Sequence, residues 1–533
     1  RRYRLNKSKK YCRVIKRLKC IKSDNLYFRD GRFYAMIGKI SVHKSYKLGG
    51  NMMHFFINKG MGHGNSGVEH AQFYRATQFR DKKLPFKMVF TDHLPRLHQH
   101  MKEWHIAEHE VIGLYDYLLS DDPDKYLRNG NMIMHNYEEE ILWDTTNTQR
   151  MIKRQTTGNY IEIIQRRKYY DKEKRVYQVE DDRVFLENKK HRVSWHYRNE
   201  RSRGDQMTNI RVDNFRGKNY LFTTFEELLD FFFSDIQHRF KNNVYLIDRG
   251  TDSEEAIIRI KQYDSTLKIL AVVHADHFVT WYQEHPLWNN YYQYMFDHLT
   301  DIDLIIVATK LQRQAMLSQL EAIGVSGLSR KIVAIPVGGV SDISEPNKWL
   351  GGSMKFVTAS RLHAEKHIDH IIQAISQLRQ AGLNATLAIY GAGAEESNLV
   401  TLINTLNLSS FVVLKGLSQH MKTDMKAYDV FVSASYSEGF GLTYIDAISN
   451  ALPIATYDNL YGARELVYDG VNGYLAKFSR KAADEQVNIS RLAVAMRLTF
   501  ESYDQLSKGA HDVAMQFQND MIADQWQKVM VDL

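Results

Sequence analysis

Two carboxylates bracket a pair of glycines in the stretch "SEGFGLTYIDAISNALP", residues 437–453. Glu438 stands immediately before Gly439-Phe440-Gly441-Leu442, and Asp446 follows Glu438 by eight positions. Glycines this closely spaced weaken any helix that crosses them. The stretch therefore reads as a strand–loop–helix corner where free backbone N–H groups and two carboxylates converge on a polyhydroxylated ligand. The plainer alternative is a surface turn leading into an acidic helix start. Upstream, "TASRLHAEKHID" carries Arg361 and Lys366 five residues apart. Two fixed cations at a strand end neutralise a diphosphate, which an enzyme lacking a metal requires; taken alone, they also fit a pair of solvated charges. "IYGAGAEESNL" places Gly391 and Gly393 where a backbone must come close to a ligand, and the loop "GMGHGNSG", with Gly60, Gly62 and Gly64, is suited to cradling phosphate.

Competing chemistries have thinner support. D-x-D, a metal-binding pattern, occurs in "DIDL" (Asp301 to Asp303) and in "DDPD" (Asp121 to Asp124), as chance allows in a chain this acidic. His105 and His109 in "HIAEHE" stand four apart but lack the adjacent Glu of H-E-x-x-H, so they read as a solvated helix face. Both cysteines, Cys12 and Cys20, lie in the first 51 residues, which removes a disulfide framework, a thiol nucleophile and a Cys-ligated zinc from the remainder. No metal site is expected.

The elements that must position these residues follow from length and periodicity. At 533 residues the chain is too long for one core, and its 44% hydrophobic and 25% charged composition is that of a soluble globular protein. The net charge of +9 does not signal nucleic acid: residues 1–51 hold +14 of it, leaving −5 for residues 52–533. That basic leader reads either as a disordered arm for acidic partners or as a non-native translated leader ahead of a start at Met52; the second is preferred. No apolar run reaches about 18 residues and no signal peptide is visible, so the expected location is cytoplasmic, with at most peripheral membrane association.

"MHFFINKG", a glycine loop, a helical segment and "FKMVFTD" open residues 52–130 as a β-loop-α-β unit of a parallel sheet. Residues 131–222 alternate apolar and polar, as in "NYIEIIQRRKYY" and "HRVSWHYRN", and predict an inserted antiparallel meander. "TFEELLDFFFSDI" returns to a helix with Thr224 and Glu227 in capping-box spacing. Parallel-strand signals then resume through residues 223–336 and form a second series over 337–515, with a C-terminal helix over 516–533. Two β/α series imply an α/β architecture of two Rossmann-like domains with ligand sites at strand carboxyl ends and a cleft between them. "WNNYYQYMF" has helical spacing and is expected in the core.

R-x4-K, then G-x-G, then an acid before G-F-G with a second acid eight positions on, resembles the retaining GT-B glycosyltransferases of family 4. "GNSGVEHAQFYRA", "VFTD", "VVHADHF", "LWNNYYQY" and the meander narrow the resemblance to a bacterial subfamily. It holds the accessory-secretion O-linked N-acetylglucosaminyltransferases of serine-rich adhesins, with wall teichoic acid glycosyltransferases as relatives. The resemblance implies a UDP-sugar donor (UDP-glucose or UDP-N-acetylglucosamine), no cofactor or metal, and a serine-rich protein acceptor. A homologous partner subunit or a homo-oligomer is also in keeping with it. It assigns Glu438 and the N–H groups after it to the donor sugar, Asp446 to the ribose, and Arg361 and Lys366 to the phosphates. Asp446 is one methylene shorter than the family's usual Glu. The family's strand-end histidine matches "HADH", most naturally His274, with His277 the alternative.

Overall fold

The computed structural model describes residues 26–29, 32–35, 52–143, 149–200 and 204–533. The chain divides into two compact units, Arg1–Lys47 and Leu48–Leu533. In the first, Leu26–Arg29 pairs antiparallel with Arg32–Ala35. The expectation of disorder in the leader otherwise lies outside the described residues.

Among the described residues the second unit contains two parallel sheets, a seven-stranded antiparallel sheet and a two-stranded antiparallel hairpin, Phe278–Tyr282 with His285–Trp288. In the first parallel sheet the spatial order is Ile332–Ala334, Leu304–Val307, Lys268–Val273, Val244–Ile247, His54–Asn58, Phe86–Phe90, Val111–Gly113. His54–Asn58 and Val244–Ile247 are wholly buried, as strands covered by helices on both faces must be. Their pairing (Val244 opposite His54, Ile247 opposite Ile57) marks where the strand order reverses. The second parallel sheet runs Val412–Gly416, Ala385–Tyr390, Met354–Ala359, Val430–Ser433, Ile454–Tyr457, Gly473–Ala476. Its reversal lies between Met354–Ala359 and Val430–Ser433. A crevice opens beyond the strand ends at such a point, because the flanking connections leave in opposite directions.

The insertion is a seven-stranded meander whose spatial order follows the chain from Glu138–Trp143 to Lys218–Thr224. It enters between the third and fourth strands of the first parallel sheet. One face, including Ile164, Val184, Leu186, Trp195, Ile210 and Val212, is buried in the same core as Tyr115, Tyr117 and Phe232 of that lobe. The alternation expected from the sequence holds at the base of Ile161–Asp171 and fades outward, where Tyr170 and Tyr177 stand exposed. The last strand runs directly into the helix Phe225–Arg239. There Thr224 accepts from the Glu227 N–H (3.4 Å) while Glu227 reaches back to the Thr223 N–H (2.7 Å).

After the second sheet, the helix Asn519–Val531 returns to the first lobe and packs on the helix Gly67–Asp81. Trp526 meets Phe79 edge-on at 5.8 Å and Arg75 lies over its ring. Where the chain passes between lobes, Val340 N–H donates to the Phe517 carbonyl (2.8 Å) and Asn519 N–H to the Val340 carbonyl (3.0 Å). Among the described residues no helix is long and apolar enough to cross a membrane.

Candidate active site

In the second lobe both strands at the reversal feed the site. After Met354–Ala359 comes the loop with Arg361 and a short 3-10 turn, Ala364–Lys366. After Val430–Ser433 comes the Glu438 corner, ending at the helix Leu442–Ser449. Lys366 Nζ donates to Glu438 Oε1 at 2.6 Å, with both side chains largely buried. Arg361 is exposed and pairs with Glu365 at 3.2 Å. The helix Leu442–Ser449 starts at Gly441 (φ +90°) with no side chain capping it, and an uncapped helix start is the kind of end that suits an anion. Gly441 is required there twice over: its φ suits only glycine, and a Cβ would lie 2.7 Å from the Tyr444 ring.

The first lobe contributes a buried polar network built on Asp248, the residue after Val244–Ile247. Asp248 accepts from His274 Nε2 (2.7 Å), Gln72 Nε2 (2.7 Å) and the Arg75 guanidinium. These donors hold its carboxyl below the usual range despite full burial. Gln72 and Arg75 come from the helix Gly67–Asp81, whose start is closed by a capping box between Ser66 and Glu69. The strand end carrying His274 is pinned by Tyr292, whose hydroxyl accepts from the N–H groups of His274 and Ala275, both at 2.9 Å.

The two halves meet. A Cβ on Gly439 would lie 2.0 Å from the His274 carbonyl oxygen. Tyr74 of the first lobe donates to Asp446 Oδ1 at 3.2 Å, and burial pushes the Asp446 carboxyl up to about 6. Gly64 faces Leu417, and His63 meets Gln419 at 3.5 Å. Lys366, Glu438, Asp446, the Gly439–Leu442 corner and His274 thus share one interlobe cleft.

Other expected site residues sit elsewhere or act differently. His277 is fully buried, with Gln319 at 2.8 Å on Nε2, Gln312 at 3.5 Å on Nδ1, and Trp288 and Tyr461 stacked on it. Burial lowers its pKa to about 4. It is a core histidine with no open face for a donor. Gly391 and Gly393 serve a protein contact, since a Cβ at either would strike the carbonyl of Ser360 (1.9 Å) or Leu362 (2.3 Å). The Gly60–Gly67 loop offers fewer free N–H groups than expected: Asn65 holds that of Gly62, Ser66 caps the helix, and Gly60 packs on Leu94. Phe440 is buried, and Leu442 would meet any Cβ on Gly338.

The remaining motifs have local explanations. Asp303 pairs with Lys261 and Lys268, and Asp121 and Asp124 pair with Lys190 and Arg216. His105 and His109 do not share a helix, because the helix Leu97–Glu103 ends before His105, which adopts φ +53°. In "WNNYYQYMF" only Gln293–Asp297 is helical. Sequence reasoning missed Asp248, Gln72, Arg75, Tyr74 and Tyr292. The available signals were an acid at a strand end, "VYLIDRG", and a Gln and an Arg three positions apart on a helix.

Two facing parallel-sheet lobes with this cleft are the GT-B fold, and residues 340–511 match the family described as "Glycosyl transferases group 1". The protein is a GT-B glycosyltransferase. Over 505 residues it is 26% identical to the UDP-N-acetylglucosamine--peptide N-acetylglucosaminyltransferase GtfA subunit of Streptococcus gordonii, covering 90% of this chain and 98% of that one. It is 22% identical to the poly(ribitol-phosphate) alpha-N-acetylglucosaminyltransferase of Staphylococcus aureus, over 79% of this chain and 87% of that one. Among solved structures, the pneumococcal O-GlcNAc transferase GtfA in complex with UDP and GlcNAc superposes with a TM-score of 0.71. That pair shares 24% identity, covering 91% of this chain and 99% of that one. A GtfA/B complex gives 0.70 at 25% identity, over 90% and 99%.

Proposed function

We propose that this glycosyltransferase moves N-acetylglucosamine or glucose from a UDP-sugar, with retention and without a metal, to Ser/Thr hydroxyls of a serine-rich bacterial surface adhesin or to sugars already on them. The observation that carries the reading is the Lys366–Glu438 pair, placed at the strand reversal beside an uncapped helix start and opposite His274. As the bond from the anomeric carbon to UDP breaks, its electron pair stays on the β-phosphate oxygen. In this reading Lys366, Arg361 and the helix-start N–H groups neutralise that charge. Glu438, at the same corner, serves the hydroxyls of the sugar, where positive charge gathers at the anomeric carbon. Asp446 serves the ribose. His274, held by Asp248, contacts the sugar from the opposite lobe.

The similarity to the GtfA subunits supports a peptide acceptor, and the GtfA/B complex supports a homologous partner subunit. The similarity to the poly(ribitol-phosphate) transferase keeps a polyol-phosphate wall polymer as the second reading of the acceptor. A non-catalytic acceptor-binding role is less consistent with an intact Arg361, Lys366 and Glu438. The test is UDP release from a panel of UDP-sugars, with a serine-rich peptide, with polyribitol phosphate or with neither, before and after chelation by EDTA. Peptide-stimulated release that survives EDTA is expected. Stimulation by the polymer alone, or loss with EDTA and rescue by Mn²⁺, overturns the reading.

A further inference from the structure

We propose that the chain binds one zinc-like divalent ion outside the donor cleft, through His367, Asp369, His370 and Glu485. Ligand atoms of His367, Asp369 and His370 all lie within 4.8 Å of one another. His370 Nε2 is 3.8 Å from Asp369 Oδ2 and 3.7 Å from Glu485 Oε1, too far for hydrogen bonds, while its side chain is only 2% exposed. The nearly buried imidazole thus turns its Nε2 to the cavity, within 4 Å of two carboxylates. The four residues line one cavity of about 250 Å³ together with Glu395 and His363.

The chemistry of the set suits the ion. Two imidazoles and two carboxylates are a ligand combination that zinc accepts in tetrahedral geometry. Burial lowers both imidazole pKa values, which keeps them neutral and able to ligate. The other nitrogen of His370, Nδ1, is held by the Tyr457 hydroxyl at 2.9 Å. A metal-bound histidine is usually oriented by such a bond. Zinc–ligand bonds of about 2.0–2.1 Å set ligand atoms roughly 3.3 Å apart, so modest side-chain rotations close the set.

His367 adopts φ +45°, ψ +45° at the start of the helix Ile368–Gln380 with no side chain capping it. Histidine is among the residues that enter this left-handed region, and the turn brings His367 beside Asp369 and His370. Stacking on Tyr436 at 4.0 Å fixes the ring in place. Glu485 begins the helix Glu485–Glu501, so an ion here ties two helices together. It also fixes the turn whose preceding residue, Lys366, reaches Glu438. The ion touches no donor atom and plays no part in bond cleavage.

The experiment uses the metal-stripped full chain, titrated with Zn²⁺ and followed by thermal unfolding, and separately with Co²⁺ and followed by visible absorption. One equivalent of Zn²⁺ is expected to bind and raise the Tm, and one equivalent of Co²⁺ to give the intense bands of a tetrahedral site. His367→Ala and Glu485→Gln are each expected to weaken binding at least tenfold, whereas His105→Ala leaves it unchanged. Asp369→Asn, at a side chain 41% exposed, keeps both histidines and is expected to weaken binding in the same way. Circular dichroism of each metal-free variant verifies its fold. Absence of a saturable single equivalent overturns the proposal. So does wild-type affinity in the folded Asp369→Asn and Glu485→Gln variants.

Discussion

Lys366 and Glu438 neutralise each other at 2.6 Å in a largely buried setting, so deleting either leaves the other charge without its partner. Lys366→Ala is expected to lower turnover by about 10²-fold or more, the scale of removing one preorganised donor from a site where charge develops. The two acids of the corner separate in steady-state kinetics. Under the proposed role for Glu438, Glu438→Gln is expected to lower kcat by orders of magnitude, because contacts to the transferred sugar would tighten as the transition state forms. With Asp446 on the ribose, as proposed, Asp446→Asn is expected chiefly to raise KM for the UDP-sugar, because ribose does not change during the reaction. Near-normal kcat in Glu438→Gln together with lost kcat in Asp446→Asn would exchange these roles. Asp446 also carries a stability signature. Its carboxyl, ordinarily near 3.8, is raised to about 6 chiefly by burial, so the folded chain holds that proton more tightly than the unfolded one. Stability is therefore lost as pH rises through that interval. Asp446→Asn escapes the loss: its Tm should match wild type near pH 4 and exceed it at pH 7.

Strand ends and their glycines carry the site at the next scale. A Cβ on Gly439 would collide with the His274 backbone carbonyl, and neither partner is a flexible side chain. Gly439→Ala is accordingly expected to force the corner away from His274, cutting kcat/KM more than tenfold while the Tm changes little; unchanged kinetics would show that the two loops separate without cost. Most of these elements were legible in the sequence. Short buried strands alternating with helix-length segments announced both parallel sheets, and period-two patterning announced the meander. The edge strands Val111–Gly113 and Gly473–Ala476 and the hairpin Phe278–Tyr282/His285–Trp288 were not, being too short for a period to register. The cleft residues of the second lobe were readable because their motifs are contiguous. Asp248 was not, because its donors Gln72 and Arg75 lie 176 and 173 positions away and only folding joins them. Conversely, His277, Gly391 and Gly393 carried the right residue types, yet they satisfy the protein's own packing.

Across the whole molecule, the helix Asn519–Val531 makes the end of the chain part of the first lobe. Trp526 is 1% exposed, against Phe79 and under Arg75, and Arg75 in turn holds Asp248 beneath His274. Trp526→Ala is expected to cost about 3–5 kcal/mol, as for other fully buried aromatics, measured by denaturant unfolding; a cost under about 1 kcal/mol would mean that the helix merely rests on the lobe. The two passages of the chain between the lobes are stapled at Val340, Phe517 and Asn519 by backbone hydrogen bonds. Both crossings therefore share one short stretch of chain, and any relative movement of the lobes must pass through it. Gly439 against His274 and Tyr74 against Asp446 are contacts between the same two lobes, so a change of their mutual angle at these crossings would alter both contacts together.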